Sequence, residues 1–282
     1  MEEYKKKAPT LIGAFVDWRV ITHKGLLRSQ NEDSHCVAHR IEVKNEDQSV
    51  SRYLFAVADG LGGHHGGALA SRIALKSLQE DFYKWAGGGG DRLVGQALQH
   101  ANQVVFATAQ AEGAELGKMQ TTLTAVVLED DTLSAGHVGD CRLYRVRGDR
   151  IDILTSDHTM ATDLLKMHLI TSKQAENHPG RHQLTRSVGG EPFLRADIIR
   201  EQIRPEDTYL ICSDGLWGQI SGEDIKSALR EENIDAACDR LVRLALNSGA
   251  PDNITAIMFR VVAIGKQDSP PGPLRAILHR RN

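Results

Sequence analysis

The stretch of sequence that decides the fold is an apolar run ending in an acid and a burst of glycine, Tyr53-Leu54-Phe55-Ala56-Val57-Ala58-Asp59-Gly60-Leu61-Gly62-Gly63-His64-His65-Gly66-Gly67. A short apolar run bounded by turn residues predicts a buried strand. Asp59 then stands at the end of that strand, where its side chain can enter a cleft while glycine lets other backbone approach closely. A second run, Tyr209-Leu210-Ile211-Cys212-Ser213-Asp214-Gly215-Leu216, delivers Asp214 in the same way. If the two strands lie side by side, the two carboxylates meet.

The composition indicates a soluble intracellular protein. The 282 residues carry a formal net charge of -3 with both signs mixed, so neither nucleic acid nor a membrane surface is predicted as a partner. The four cysteines are widely spaced and are expected to be reduced, as in the cytoplasm. The segment from Met1 to Lys7 is charged and precedes no long apolar run, which predicts neither a secretory signal nor a transmembrane helix.

The hydrophobic spacing along the chain predicts strands, two helices, strands, a flap, strands, two helices and a last strand. The first helix pair is expected from Gly67 and over about Asp91 to Ala111, and the second over about Ser221 to Glu231 and Ile234 to Leu246. Successive short strands with tight turns favour antiparallel pairing. We therefore expect an α+β fold, an antiparallel β-sandwich flanked by helix pairs on both faces in four α-β-β-α layers. Residues 1–264 are predicted to form one domain, followed by a flexible basic tail over 265–282.

Acidic residues recur where predicted strands end or begin. Asp59, Asp140, Asp214 and Asp252 occupy such positions, and Glu32-Asp33 lies in a loop that could face them. Hard carboxylate oxygens without a cluster of His or Cys suit Mg²⁺ or Mn²⁺ better than Zn²⁺. Each acid alone would be read as an ordinary turn aspartate. The whole set favours a site where a cation neutralises carboxylates that would otherwise repel one another.

The chain at this point resembles the metal-dependent serine/threonine protein phosphatases of the type 2C (PPM) family, especially their compact bacterial members. The resemblance covers nearly the whole chain in the family's motif order. The matching motifs are Arg28…Asn31-Glu32-Asp33, Phe55-Ala56-Val57-Ala58-Asp59-Gly60-Leu61-Gly62-Gly63, Thr121-Thr122, Val138-Gly139-Asp140-Cys141-Arg142, Leu154-Thr155-Ser156-Asp157-His158, Leu184-Thr185-Arg186-Ser187-Val188-Gly189, Ser213-Asp214-Gly215-Leu216-Trp217 and Asp252-Asn253-Ile254-Thr255.

The resemblance implies an enzyme that hydrolyses phosphoserine and phosphothreonine at a binuclear Mn²⁺ or Mg²⁺ site, by attack of a metal-bridging water. Asp59 would bridge the metals, Asp214 and Asp252 would complete one of them, and the Gly60 carbonyl would support the other. Glu32 and Asp33 would act through metal-bound waters. Arg28 would hold the phosphate and neutralise its charge.

Two departures from the family pattern leave questions open. Asp140 matches the acid of a third metal position, but Gly218 stands where some members have another aspartate. Leu61 stands where some relatives have a histidine that protonates the leaving oxygen, so the general acid is not identified. His64 and His65 are close enough in sequence to be candidates for this proton donor. It is an equally good interpretation that they face solvent at the start of the helix.

The resemblance implies phosphorylated proteins as partners, namely a Ser/Thr kinase and its targets, whose phosphorylation this enzyme would reverse. The chain is expected to act as a monomer. A regulatory scaffold that keeps the fold without catalysis is a rival hypothesis, though none of the core ligands is missing. A phosphatase of small phosphate esters or nucleotides is another, and no nucleotide-binding motif supports it. The flap over Ala161 to Gly189 is expected to set substrate choice.

Overall fold

The computed structural model describes residues 10–45, 48–62, 65–112 and 119–267. The strands are β1 (Thr10–His23), β2 (Ser34–Asn45), β3 (Gln48–Ala58), β4 (Gly60–Leu61), β5 (Gln120–Thr121), β6 (Leu123–Glu129), β7 (Thr132–Val138), β8 (Arg142–Arg147), β9 (Arg150–Ile153), β10 (Asp197–Gln202), β11 (Thr208–Cys212) and β12 (Ile254–Gln267). The helices within these ranges are α1 (His65–Lys84), α2 (Gly90–Glu112), α3 (Met160–Lys166), α4 (Ser172–Glu176), α5 (Asp214–Trp217), α6 (Gly222–Leu229) and α7 (Ile234–Asn247).

Ten of the strands form one curled sheet that folds over on itself. One half has the order β10-β7-β6-β3-β2 and the other β1-β12-β11-β8-β9. A short parallel pairing of Thr10–Ile12 with Gln48–Val50 joins the halves, and the other pairings in the sheet are antiparallel. The expected α+β sandwich is confirmed, with this parallel seam as an addition that strand periodicity alone does not indicate.

Three apolar clusters build the four layers. The first half packs Leu54, Ala56 and Val127 against α1 and α2, and the second packs Leu210 and Met258 against α6 and α7. Strands buried on both faces explain why β3 and β11 read as continuous apolar runs rather than alternating ones. Each helix pair therefore covers the outer face of one half, as the spacing predicts.

A stack of three aromatic rings occupies the core between the halves. The Phe259 ring centroid lies 4.4 Å from that of Phe55 on β3 and 4.9 Å from that of Tyr209 on β11. The strands β3 and β11 consequently face each other across the sandwich. They are not neighbours in the sheet, because β11 pairs with β8 and β12, so the two carboxylates do not meet through adjacent strands.

The predicted flap and the start of the predicted tail both contain regular structure. The predicted flap contains α3 and α4, and α4 begins with a capping box in which Thr171 and Gln174 satisfy each other's backbone. The last strand continues to Gln267, three residues past the predicted end of the domain at residue 264. The rest of the tail lies outside the described residues. Within the described ranges, none of the helices is long and apolar enough to cross a bilayer.

The central stack yields a stability prediction. Phe259→Ala leaves a cavity between the two halves of the sheet, and the free energy of unfolding should fall by about 3–5 kcal/mol. The matched control is Phe193→Ala, because that side chain is 88% exposed and should change stability by less than about 0.5 kcal/mol. Urea unfolding followed by circular dichroism measures both. Equal stability of the two variants would contradict the packing described here.

Candidate metal centre

The acid-bearing loops meet at one edge of the sandwich. In the second half, the register pairs His23 with Ile254 and Cys212 with Ala256, so β1 and β11 end where β12 begins. In the first half, β3 and β7 both end beside the start of β6. The segments next to these strand ends carry the predicted site residues Arg28, Glu32, Asp33, Asp59, Gly60, Asp140, Asp214 and Asp252. The two halves thus deliver their acids to the same rim.

Asp59 is held by the break between β5 and β6. Its carbonyl accepts hydrogen bonds from the Thr122 backbone N–H and the Thr121 hydroxyl, both at 2.8 Å. The Thr122 hydroxyl accepts a hydrogen bond from the Asp59 backbone N–H at 2.9 Å. The stretch over 120–129 therefore forms two strands, because Thr122 lies between them and fixes Asp59.

The loop that carries Glu32 and Arg28 is fastened by Asn253. The Asn253 amide donates to the carbonyls of Lys24 at 2.8 Å and Gln30 at 2.9 Å, and its side-chain oxygen accepts from the Glu32 backbone N–H at 2.8 Å. The residue next to Asp252 consequently sets the position of the loop opposite. Asn253 belongs to the motif Asp252-Asn253-Ile254-Thr255 in the sequence. Only the fold reveals that its hydrogen-bond partners lie more than 200 residues away along the chain.

Glycines let three backbone segments approach closely around Glu32. A Cβ on Gly60 would lie 2.3 Å from the Gly67 carbonyl oxygen, and a Cβ on Gly67 would lie 2.6 Å from Glu32 Oε2. These contacts explain the glycine-rich sequence after Asp59, since any side chain would separate α1 from the loop. His65 begins α1. Gly63 and His64 lie outside the described residues.

Asp33 is a buried carboxylate with one oxygen unsatisfied. Its Oδ2 accepts a hydrogen bond of 2.8 Å from the Ser213 hydroxyl, which itself accepts from the Thr255 backbone N–H at 2.9 Å. Its Oδ1 has no hydrogen-bond partner in the described part of the chain. Burial raises the pKa of Asp33 to about 7, and the charges of Asp214 and Asp252 add to the effect.

Burial and neighbouring carboxylates together raise the pKa of Asp59 and of Asp140. Burial raises the pKa of Asp59 well above its usual value, and the charges of Asp33, Asp214 and Asp140 raise it further. Burial likewise raises the pKa of Asp140, with the charge of Asp214 as the next contribution. Proximity in space, and not in sequence, produces this crowding. A cation at the rim would relieve it.

Arg28 is the positive group placed beside the acids. Its guanidinium lies 2.6 Å from Asp252 Oδ2, and about half of its side chain is exposed. The hydrogen bond to Asp252 raises the pKa of Arg28, with smaller contributions from the charges of Glu32 and Asp59. The guanidinium is therefore anchored at the acid cluster while still open to a ligand from solvent.

A histidine of the flap joins the site. His182 Nδ1 lies 3.4 Å from Asp214 Oδ2, and ligand atoms of Asp140, His182 and Asp214 all lie within 4.8 Å of one another. The His182 ring stacks near the Trp217 ring. The guanidinium of Arg142 lies over the same Trp217 ring, 3.5 Å from its centroid. Sequence reasoning missed His182, because a polar segment 32 residues before Asp214 gives no signal of this approach.

Three residues from the matching motifs make specific contacts beside the flap. Asp157 forms an ion pair with Arg142 at 2.7 Å. Arg186 pairs with Asp197 at 3.0 Å. His158 is fully buried, and burial lowers its pKa, so its imidazole is neutral at pH 7.

The donor set fits a divalent cation of the Mg²⁺ or Mn²⁺ type. Such ions take oxygen ligands, and the rim supplies carboxylates with a buried oxygen, on Asp33, that lacks a partner among the described residues. The raised pKa values of Asp33, Asp59 and Asp140 show that the protein alone leaves this negative charge uncompensated. Residues of this type and placement can hold more than one ion.

Comparison with known proteins identifies the family. The model of the family described as Protein phosphatase 2C matches residues 38–255. The chain belongs to the protein phosphatase 2C family. It is 35% identical over 244 residues to the serine/threonine protein phosphatase PstP of Mycobacterium tuberculosis, covering 85% of this chain and 44% of PstP. The chain thus spans less than half the length of that relative.

Two further matches extend over nearly the whole length of the matched chain. Protein phosphatase PhpP of Streptococcus pneumoniae is 30% identical over 257 residues, covering 89% of this chain and 98% of PhpP. A crystal structure of the catalytic domain of PstP in complex with two manganese ions superposes with a TM-score of 0.76 at 30% identity, covering 88% of this chain and 99% of that one. The fold expected from the resemblance is therefore that of the family.

The role of Asn253 leads to a prediction about the loop it fastens. Asn253→Ala removes three hydrogen bonds worth about 1 kcal/mol each, so trypsin should cut after Lys24 and Arg28 at least about 10-fold faster. Mass spectrometry of the first fragments measures this rate. Asn247→Ala, a change at an exposed residue of α7, is the matched control. A variant cleaved no faster than this control would show that other contacts fix the loop.

The raised pKa of Asp33 predicts a pH dependence of stability in the presence of EDTA. The carboxyl binds its proton more tightly in the folded chain, so its stabilising contribution is complete below pH 4 and is lost as the pH rises through about 7. At about 1.4 kcal/mol per pKa unit the loss amounts to about 4 kcal/mol. Asp33→Asn should flatten this part of the curve of unfolding free energy against pH, measured by urea unfolding, whereas Asp149→Asn should not. An unchanged slope in Asp33→Asn would refute the assignment.

Proposed function

We propose that this protein is a metal-dependent phosphatase that hydrolyses phosphoserine and phosphothreonine in proteins. The observation that carries the proposal is the convergence of mutually repelling carboxylates at a rim where the guanidinium of Arg28 is open to solvent. Carboxylates of this kind hold divalent cations, and a guanidinium beside them recognises a phosphate. The names of the relatives PstP and PhpP and the two manganese ions in the PstP structure support the same reading.

In this proposal each acid of the rim has a separate role toward the metals. Asp59 would contribute to holding both of two cations, Asp214 and Asp252 would complete the ligands of one, and the Gly60 carbonyl would support the other. Glu32 and Asp33 would act through metal-bound waters. Because its pKa is raised, Asp33 takes up a proton more readily than an ordinary aspartate. Asp140 belongs to a third position, where His182 and Asp214 also converge. Mn²⁺ and Mg²⁺ are the proposed ions.

The chemistry requires that water attack phosphorus while the bond to the serine or threonine oxygen breaks. When bound, the two cations would supply an activated water and positive charge that offsets the phosphoryl oxygens. Arg28 binds two phosphoryl oxygens and orients the group in line with the attacking water. The chain fixes Arg28 for this task through Asn253, which holds the loop on both sides of it. Leu61 offers no proton for the leaving oxygen.

The substrates we propose are phosphoproteins generated by a Ser/Thr kinase in the same cytoplasm, with this chain acting as a monomer. The catalytic domain would end with β12, and the basic tail would lie beyond it. The exposed position of Arg28 supports a protein substrate, since a phosphorylated loop can reach a guanidinium at an open rim.

Replacement of the bridging carboxylate tests the proposed function. Asp59→Asn should lower kcat/KM on a phosphothreonine peptide by at least about 100-fold, because a direct ligand matters more than the outer partners whose loss costs 10- to 100-fold. Activity of the unaltered protein should require Mn²⁺ or Mg²⁺ and should disappear in EDTA. Release of inorganic phosphate is the measurement.

Asp149→Asn provides the matched control, since its side chain is fully exposed in a turn far from the rim. Both variants should keep the circular dichroism spectrum of the unaltered protein. An active Asp59→Asn variant would sink the assignment. Binding of Mn²⁺ without turnover of peptide or p-nitrophenyl phosphate would favour a scaffold, and turnover of small esters alone would favour a metabolite phosphatase.

A further inference from the structure

His158 is a fully buried imidazole that is joined twice to the residue before Asp140. Its Nδ1 accepts a hydrogen bond from the Gly139 backbone N–H at 3.1 Å, and its own backbone N–H donates to the Gly139 carbonyl at 2.7 Å. A neutral ring with the proton on Nε2 is the form that can accept at Nδ1. Both the side chain and the backbone of His158 therefore determine where Gly139 lies.

The turn at Gly139 has little freedom to compensate for a change in His158. Gly139 has a φ of 106°, and a Cβ at this position would lie 2.5 Å from Thr122 Cγ2. The next residue, Asp140, is buried, and its carbonyl accepts a hydrogen bond from the Trp217 indole at 3.0 Å. The direction of the Asp140 carboxylate is thus set by contacts on both sides, and His158 supplies those on the Gly139 side.

The other contacts of His158 lead into the flap. Its carbonyl accepts a hydrogen bond from the Thr185 backbone N–H at 2.8 Å, and the adjacent Thr159 forms a β-bridge with Leu184. Its Nε2 lies 3.2 Å from Asp197 Oδ2, while Arg186 lies 3.0 Å from Asp197 Oδ1. One buried side chain consequently touches the Asp140 turn with one nitrogen and the support of the flap with the other.

We propose that His158 is a positioning residue that aims the Asp140 carboxylate into the metal centre and couples the flap to that carboxylate. The inference rests on the proposed function to the extent that Asp140 faces a cation. It assigns to the imidazole a task in metal binding without direct contact with metal or substrate. The Nδ1 bond to Gly139 carries the positioning, and the Thr185 bond carries the coupling.

Two amide substitutions separate the two ends of the imidazole. The side-chain oxygen of His158→Asn can take the place of Nδ1 as the acceptor for Gly139 N–H. The longer His158→Gln places its amide near Nε2 and leaves Gly139 N–H without that acceptor. We expect His158→Asn to bind Mn²⁺ within about 3-fold of the unaltered protein, and His158→Gln to bind about 10- to 100-fold more weakly, the range seen when an outer partner of a ligand is lost.

A double-mutant cycle with Asp140→Asn makes the test specific. Mn²⁺ affinity is measured by titration calorimetry, and the melting temperature of each variant is recorded. His158→Gln should weaken binding in the unaltered background and cause no further loss once Asp140 is changed. Equal losses in both backgrounds, or equal losses in the Asn and Gln variants, would overturn the proposal. His100→Asn and His100→Gln, at a half-exposed histidine of α2, are the matched controls.

The coupling to the flap is tested without any substitution, which guards against a glutamine variant that fails to fold. Addition of Mg²⁺ to the isotope-labelled protein should shift the amide resonances of Gly139 and Thr185 along one shared titration curve. A Thr185 resonance that does not respond would overturn the coupling. Neither this titration nor the calorimetry requires turnover, so a protein that binds metal but hydrolyses no phosphopeptide would refute the proposed function and still decide the role of His158.

Discussion

Electrostatic repulsion among carboxylates is the constraint on which the rest of the structure depends. Burial pushes Asp33, Asp59 and Asp140 toward protonation. The charge of Asp214 adds to the effect on all three. A fold that brings such groups together loses stability unless a cation or Arg28 compensates the charge. The two halves of the sheet bear this cost at their shared rim, since a large apolar core lies directly behind it. The site is therefore an electrostatically unfavourable edge that a well-packed sandwich keeps folded.

Neutral hydrogen bonds hold this edge in place. Ser213 links Asp33 to the start of β12, Thr122 fastens Asp59, and Asn253 ties the loop of Arg28 to the residue beside Asp252. Each of these groups can serve as donor and acceptor without adding charge. A carboxylate or lysine in the same place would change the balance that metal binding requires. Positioning and charge are thus assigned to different residue types.

Much of the fold could be predicted from the sequence, because β3 and β11 are continuous apolar runs and the amphipathic helices have a clear helical period. The helix pairs and the α+β sandwich follow from these patterns and are confirmed. The parallel seam between β1 and β3 could not be predicted, since three paired residues leave no periodic signal. The facing of β3 and β11 was also beyond reach, because an apolar run is equally compatible with a neighbour in the sheet and with a partner across the core.

The candidate site divides in the same way. Acids that end strands are visible in the sequence, since a carboxylate after an apolar run stands out. Residues that act through other residues are invisible until the fold exists, and His182, Asn253 and His158 are examples. His158 reaches Gly139 through a ring nitrogen and its backbone N–H, and it reaches Thr185 through its backbone carbonyl. Nothing in the local sequence distinguishes such a histidine from one that merely fills space. What distinguishes His158 is that it forms hydrogen bonds in two directions, to the turn at Gly139 and to Thr185 of the flap. Only the folded chain places it between these two segments.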